Sequence, residues 1–198
     1  MGTAMTTGIT AYISTSLDYL IILTAIFGST PKGERFLVYL GDLLGTGILV
    51  GVSLLLAFVL KVVPAEWILG FLGLIPMFMG IKLFLFGEKE DDDVVEDQLK
   101  RRTNRVLKVI LITVATCSAD NIGVYVPLFA QSSIYEISII LLTFLVMLTI
   151  FCFVGYWLVK MPKIAQLLDH WGRYITSLVY LGIGLYILFE SGAISHII

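Results

Sequence analysis

The sequence predicts an all-α integral membrane protein, built from six transmembrane helices as two inverted three-helix repeats, with both termini outside. Three observations predict this fold: a strongly apolar composition, charges gathered into a few short stretches, and a polar pattern that occurs once in each half of the chain. Hydrophobic residues make up 58% of the 198 residues and charged residues only 14%, whereas soluble domains have about 25% charged residues. The bulk of the chain is therefore expected to lie in a membrane.

Six apolar segments are long enough to cross a bilayer, for which a helix needs about 20 residues. The predicted spans are 8–28, 36–60, 66–86, 106–130, 135–159 and 173–191. The connection at 87–105, GEKEDDDVVEDQLKRRTNR, is too polar to insert and is expected to be a solvated cytoplasmic loop. It separates a first three-helix repeat at 1–86 from a second at 106–198. The N-terminus lacks the basic region of a cleavable signal peptide, so the first segment is expected to remain a span.

The orientation follows from the distribution of Lys and Arg, which are enriched in cytoplasmic loops. If the N-terminus is outside, 12 of the 13 Lys and Arg residues fall on the cytoplasmic side, and Lys61 alone falls on the outer side. Because six spans return the chain to the side on which it started, the C-terminus is expected to be outside as well.

The repeat is carried by two stretches that lie deep in apolar sequence, STSLD at 14–18 and TCSAD at 116–120. Both place small polar side chains before an Asp, and weaker echoes at 71–84 and 180–190 keep the same order. Because each repeat has an odd number of spans, the second copy must cross the membrane in the opposite sense. This plan is common among secondary transporters, whose site lies near the membrane midplane. The alternative is two similar helices in a structural membrane protein.

Asp18 and Asp120 fall near the middle of the first and fourth spans, where an isolated carboxylate costs about 2.5–3.5 kcal/mol on insertion scales. Each is expected to mark a functional site; the alternative is a protonated or hydrogen-bonded structural Asp. Residues three and four positions earlier share the face of each acid. They are Ser14 and Thr15 before Asp18, and Thr116 and Cys117 before Asp120. Asn121 follows directly, and Pro127 frees a backbone carbonyl near Gly123.

Asp42 is a third acid in an apolar segment, within GDLLGTG at 41–47, a run of small residues suited to close helix packing. Two interpretations of it stay open, a site or gate residue and a carboxylate solvated near the cytoplasmic interface. Glu190 is expected to meet water at the outer end of the sixth span. Both cysteines are expected to be free thiols or ligands rather than a disulfide, and Cys152, whose only polar neighbour at helical spacing is Thr149, is expected to be a packing residue.

These side chains suit a divalent cation. No Lys or Arg lies in the middle of a span, which disfavours an anionic substrate, and His170 and His196 are placed in a loop and in the tail. Oxygen ligands favour Mg²⁺ or Mn²⁺, whereas a thiolate favours softer metals. Cys117 is therefore the residue that would direct the site toward Cd²⁺ or Zn²⁺; its alternative role is helix packing. The predicted metal ligands are Asp18, Asp120, Asn121, Cys117, Thr15, Ser14, Thr116 and Asp42.

The sequence has no G-x-x-x-x-G-K-[ST] motif, so the energy for transport is expected to come from a gradient or a partner. Two carboxylates that neutralise a divalent ion could take up protons in its absence, which predicts exchange of metal for protons. We expect no enzymatic activity, no resident cofactor and no nucleic-acid partner; the expected partners are the metal substrate and the lipid bilayer. Gly-rich stretches such as 41–51 suit packing within the chain and packing in a homodimer equally well.

Two stretches resemble a known family. SADNIGVYVPLF at 118–129 is similar to the signature of the cadmium-resistance transporter family, a branch of the lysine-exporter superfamily, and ITAYISTSLDYLIIL at 9–23 is similar to that family's first span. The resemblance covers essentially the whole chain. It implies export of toxic divalent metals, chiefly cadmium, across the bacterial cytoplasmic membrane, and a metal path that includes Asp18, Asp120 and Asn121.

Other functions stay compatible with the sequence. They are an exporter of a small metabolite or amino acid, a cation or proton channel, and an accessory subunit whose buried acids pair with a partner helix. The lack of Lys and Arg in the middle of the spans disfavours the first. A metal-dependent enzyme is the least favoured, because the sequence shows no His/Glu catalytic cluster.

Overall fold

The computed structural model describes residues 2–61, 71–86 and 104–190, and within these ranges the regular structure is helical. The α-helices are α1 (Gly2–Ser16), α2 (Tyr19–Ser29), α3 (Arg35–Leu60), α4 (Leu74–Phe86), α5 (Arg105–Gln131), α6 (Ile134–Leu158) and α7 (Pro162–Glu190). Short 3-10 turns at Lys32–Glu34 and Phe71–Gly73 precede α3 and α4. The predicted all-helical class is confirmed.

Local sequence sets several helix ends. The Asn104 side chain caps α5 by accepting a hydrogen bond from the Val106 N–H at 3.1 Å. Ser133 and Glu136 form a capping box at the start of α6. Pro162 begins α7, where its missing N–H costs nothing because the first helical N–H groups have no intrahelical partner. Ser133 and Pro162 thus mark where one apolar helix gives way to the next, and Asn104 marks where α5 begins after the polar stretch.

The helices include clear membrane spans. Three of the described segments, α3 with its preceding turn, α5 and α6, are each long and apolar enough to cross a membrane. α1 and α2 pass the same test together as one span, bent by 63° at a short break, and two shorter apolar helices lie at Phe71–Leu85 and Tyr174–Phe189. Large apolar side chains such as Leu55 on α3 and Phe153 on α6 are 69% and 68% exposed. Such surfaces fit lipid rather than water, so the chain is a membrane protein.

The spans predicted at 36–60, 106–130 and 135–159 agree with α3, α5 and α6 to within a residue or two. The first predicted span, 8–28, is broken between α1 and α2, although neither Gly nor Pro lies at the break. The loop at 87–105 falls almost entirely outside the described residues.

The last helix is longer than its predicted span at 173–191. α7 begins at Pro162, so His170 lies on a helix and the prediction that it lies in a loop is wrong. After Pro162 no proline interrupts the sequence, and the polar residues before Tyr174 are compatible with a helix that continues beyond the apolar segment. The side chains of His170 and Glu190 lie outside the described part of the structure, as does His196.

Helices from the two halves of the chain pack against each other. α3 lies against α5, α1 and α2 lie against α6, and α4 lies antiparallel against α7. Glycines permit the closest approaches: a Cβ on Gly41 would lie 2.6 Å from Val109 Cβ, and a Cβ on Gly184 would lie 2.5 Å from the carbonyl oxygen of Gly73. Small residues of this kind supply the van der Waals packing that holds membrane helices together.

The helix ends group on two sides of the molecule. On one side, an open recess of about 180 Å³ is lined by residues from the start of α1, the end of α5, the start of α6 and the end of α7, among them Thr3, Gln131 and Tyr186. Lys61, at the end of α3, donates to the Ser132 carbonyl on the same side. None of the predicted metal ligands lines this recess.

The opposite side holds a group of charged contacts. Arg105 pairs with Glu34, and the charged groups of Arg35 and Lys160 lie 4.7 and 5.3 Å from the centroid of the Tyr156 ring. α2 ends here, α3 and α5 begin here, and α6 ends here. The bent first span, α3, α5, α6 and α7 therefore each run from one side to the other.

Candidate functional site

Asp18 lies at the bend of the first span, in the N-cap position of α2. An Asp in this position usually accepts a hydrogen bond from the first backbone N–H groups of the helix, but the Asp18 side chain makes no such bond. Its carboxylate instead faces α7, where Thr176 Oγ1 donates to Asp18 Oδ1 at 3.4 Å. A Cβ on Gly172 would lie 3.4 Å from the same oxygen. Asp18 is thus partly buried between the first and last helices.

The hydroxyls that precede Asp18 are bound to their own helix. Ser14 Oγ donates to the Ala11 carbonyl at 2.8 Å, and Thr15 Oγ1 lies 3.2 and 3.3 Å from the carbonyl oxygens of Ala11 and Tyr12. Thr15 Oγ1 also lies 2.8 Å from the Tyr125 hydroxyl on α5. Because α1 ends at Ser16, the regular helical spacing that would place Ser14 and Thr15 beside Asp18 is interrupted. Their oxygens are buried in the interior, and Thr15 links the first helices of the two halves.

α5 carries the second predicted acid without a break, from Arg105 to Gln131. Asp120 is partly buried and Asn121 is 3% exposed. Asn121 Oδ1 is buried and has no hydrogen-bond partner among the described residues. Thr116 Oγ1 donates to the Ile112 carbonyl at 2.9 Å and lies 3.6 Å from Cys117 Sγ. α5 therefore presents to the interior a carbonyl-type oxygen that lacks a described donor.

Asp42 belongs to a separate polar group. It is 1% exposed, so the interpretation that it is solvated near the interface is wrong. Thr113 Oγ1 donates to Asp42 Oδ1 at 3.3 Å, and Cys152 Sγ donates to Asp42 Oδ2 at 3.3 Å. The Tyr19 hydroxyl lies 2.8 Å from Thr113 Oγ1. We call Tyr19, Asp42, Thr113 and Cys152 the Asp42 cluster.

The expectation that Cys152 is only a packing residue is wrong, because its thiol contacts Asp42 across two helices. The Asp42–Cys152 contact joins α3 and α6, so the spacing of residues along one helix cannot predict it. The repeat cannot predict it either, because α6, the helix of the second half that corresponds to α3, has no acid near its middle. The sequence does offer a signal for Tyr19 and Tyr125, because they lie within 9–23 and 118–129, the two stretches that carry the family resemblance.

The predicted ligands do not converge into one ready-made metal cluster. Across residues 2–61, 71–86 and 104–190, no three His, Cys, Asp or Glu side chains are arranged to hold a metal ion together. The structure brings Thr15 to Tyr125, Thr116 to Cys117, and Asp42 to Cys152. The described side chains therefore meet in pairs rather than in one cluster.

A family model described as cadmium resistance transporter matches residues 12–198, which include all three of these acids and both cysteines. The chain belongs to the cadmium resistance transporter family. No curated protein and no solved structure matches the chain. The resemblance drawn from 118–129 and 9–23 is thereby confirmed for the family itself.

Membership of the cadmium resistance transporter family, with the apolar helices, makes the chain a transmembrane transporter linked to cadmium resistance and efflux. A transporter family also agrees with the expectation that the chain is not an enzyme. In a membrane transporter, an acid within an apolar segment is a candidate for the substrate or proton pathway.

Proposed function

We propose that this cadmium resistance transporter is a secondary exporter of divalent metal cations, Cd²⁺ or a similar ion, across the bacterial cytoplasmic membrane in exchange for protons. The observation that carries the proposal is Asn121 Oδ1, a buried acceptor with no donor among the described residues, directly after Asp120. An unsatisfied buried acceptor costs about 1–3 kcal/mol. A cation bound beside Asp120 would relieve that cost, whereas an anionic substrate would add to it.

The bend at Asp18 supports a cation in the same way. The last carbonyl groups of a helix have no intrahelical partner, so the end of α1 presents oxygens beside a carboxylate that does not cap α2. Discontinuous membrane helices use such carbonyls to coordinate cations. Ser14 and Thr116 donate their hydroxyl protons to backbone carbonyls, which leaves their oxygen lone pairs for an ion.

We further propose the six-span, inverted-repeat topology with both termini outside. The packing supports it, because the second span of the first half (α3) lies on the first span of the second (α5), and α6 lies reciprocally on α1 and α2. The third spans, α4 and α7, pair with each other. A two-fold relation between halves, with its axis in the membrane plane, would produce this pattern. The basic side that carries Arg35, Arg105 and Lys160 would be cytoplasmic.

The proposed path runs between the first spans of the two repeats. Asp18 and Asp120 supply the negative charge, Asn121 supplies a neutral oxygen, and the hydroxyls of Ser14, Thr15 and Thr116 line the approach, with Cys117 beside them. Two carboxylates neutralise one divalent ion, and protons replace it after release. An exchange of one divalent ion for two protons moves no net charge, so the pH gradient would drive it and the membrane potential would not.

Flux of Cd²⁺ into proteoliposomes tests the proposal. Asp18→Asn and Asp120→Asn keep the size and shape of the side chain but remove its charge. Each is expected to lower Cd²⁺ flux by about tenfold or more, because loss of a group that only supports a metal ligand already lowers affinity or activity by that factor. The matched control is Glu34→Gln, which removes an exposed acid in the turn before α3 and should leave flux unchanged. Flux that both Asp variants retain would contradict the metal path. Equal rates with and without an imposed pH gradient would contradict proton exchange.

A further inference from the structure

The Asp42 cluster is a group of metal-ligating atoms that includes neither Asp18 nor Asp120. It joins four helices: Tyr19 from α2, Asp42 from α3, Thr113 from α5 and Cys152 from α6. Asp42 and Thr113 are each 1% exposed, and Cys152 is 4% exposed. Within the side chains that the structure describes, no Lys, Arg or His lies against Asp42. A carboxylate, a thiol and two hydroxyls thus share one water-excluded space.

The groups that donate to Asp42 are two hydroxyls and a thiol, so no positive charge among the described side chains offsets a buried anion. Thr113 has one hydroxyl proton, and its oxygen lies 2.9 Å from the Val109 carbonyl and 3.3 Å from Asp42 Oδ1, so it serves only one acceptor at a time. The other donors to Asp42 are the Cys152 thiol, which is a weak one, and the Tyr19 hydroxyl, which also lies 2.8 Å from Thr113 Oγ1. A buried charge needs an opposite charge or strong hydrogen bonds. The site therefore calls for a proton or a metal cation on Asp42.

The geometry fits a metal cation. Cys152 Sγ and Asp42 Oδ2 lie 3.3 Å apart. Thiolate and carboxylate ligands at about 2.3 and 2.1 Å from a tetrahedral Zn²⁺ lie about 3.6 Å from each other, so a small rearrangement would let both bind one ion. The oxygens of Thr113 and Tyr19 lie 2.8 Å apart on the Oδ1 side of the carboxylate and could complete the coordination.

We propose that the Asp42 cluster binds a soft divalent cation, Cd²⁺ or Zn²⁺, through the Asp42 carboxylate and the Cys152 thiolate. Binding releases two protons, one from the carboxylic acid and one from the thiol, so the site is neutral in both states, as a water-excluded site requires. A thiolate selects softer metals over Mg²⁺ and Mn²⁺. The choice of a divalent metal as the ligand rests on the proposed function. The new assignment is that Cys152 determines which metal is preferred.

The chain has two cysteines, so each single substitution leaves one thiol to report. Cd²⁺ bound to a thiolate gives an ultraviolet charge-transfer band that Cd²⁺ bound to oxygen alone does not give. In purified protein titrated with Cd²⁺, C117S, whose only thiol is Cys152, is expected to keep this band, and the C117S/C152S protein is expected to lose it. Adding Asp42→Asn to the C117S protein should weaken the Cd²⁺ affinity read from the band by about tenfold or more. A band that is missing from the C117S protein, or that survives in the C117S/C152S protein, overturns the inference.

Serine at position 152 retains the size of cysteine and can still donate to Asp42, so C152S should fold. A second measurement avoids this variant altogether. In the C117S protein, Cd²⁺ should slow alkylation of Cys152 by a small membrane-permeant reagent at least tenfold, about 1.4 kcal/mol of protection, whereas Mg²⁺ should not. Equal alkylation rates with and without Cd²⁺ would also overturn the inference.

The flux assay separates this inference from the proposed function. If Cd²⁺ flux depends on Asp18 and Asp120 but no thiolate band forms, the Asp42 cluster carries only protons and the export proposal stands. If the Cys152-dependent band forms in a protein that moves no divalent ion, the cluster is a metal site and the export proposal fails.

Discussion

The acids of this transporter differ in what surrounds them. Asp18 lies at a helix break against α7, Asp42 is enclosed with a thiol and hydroxyls, and Asp120 lies on an unbroken helix beside Asn121. A residue whose polar atoms lack partners in the resting protein, as Asn121 Oδ1 does among the described residues, is costly to stability. Such a cost persists where the function needs it.

Asn121→Leu tests that cost directly. Leucine has the same branching as asparagine but no acceptor, so the substitution removes a buried oxygen without a partner. We expect the metal-free protein to unfold at a higher temperature, with a gain of about 1 kcal/mol, while Cd²⁺ flux falls. Thermal unfolding in detergent, measured with and without Cd²⁺, checks both effects. A lower unfolding temperature in the absence of metal would indicate that Asn121 is satisfied by groups outside the described residues.

The site residues that the sequence identified are those that stand out from the residues next to them in the chain. Asp18 and Asp120 stand out because each is an acid in a long apolar run, and Asn121 adjoins one of them. The Cys152–Asp42 contact joins residues on two helices that are far apart in sequence, and its geometry depends on how α3, α5 and α6 pack. No periodicity encodes that packing, so the sequence could indicate Asp42 but not its thiol partner.

The helices themselves were largely predictable, because three of them follow from apolar length alone. The bend at 17–18 was not, since it lacks the Gly or Pro that usually breaks a helix. The start of α7 was missed for the opposite reason. Its first turns carry Lys163 and other polar residues, so their mean hydropathy is too low for a predicted membrane span. Pro162, a favourable first helical residue, nevertheless marks the start of the helix.

Close packing of α3 on α5 makes a sharp prediction at two neighbouring glycines. A Cβ on Gly45 would lie 2.8 Å from Thr113 Cβ, whereas a Cβ on Gly47 would meet no atom within 4 Å. Gly45→Ala should push the helices apart, separate Thr113 from Asp42, and destabilise the protein by about 1–3 kcal/mol. Gly47→Ala should be neutral, or stabilise by up to about 1 kcal/mol through helix propensity. Thermal unfolding of the two variants checks this, and equal effects would contradict the α3–α5 contact.

Over the whole molecule, helices of one half of the chain pack against helices of the other. α1 and α5 meet through the Thr15–Tyr125 hydroxyl pair, and an aromatic group adjoins it, with Tyr125 and Phe144 ring centroids 4.5 Å apart. α4 and α7 pair with each other. Rocking one half against the other would change access to Asp18 and Asp120 while each helix stays intact.

The orientation of this arrangement can be measured because both native cysteines are buried. In a protein with Cys117→Ser and Cys152→Ser, single cysteines replace three exposed residues: Thr3 near the start of α1, Gly33 in the turn before α3, and Lys163 at the start of α7. With the basic side in the cytoplasm, a membrane-impermeant maleimide added to intact cells should label Thr3→Cys only. Gly33→Cys and Lys163→Cys should react after the membrane is permeabilised. The reverse pattern would invert the orientation and leave the packing of the helices intact. If Thr3→Cys and Gly33→Cys are labelled from the same side, the bent first span does not cross the membrane. The proposed inverted repeat would then be wrong as well.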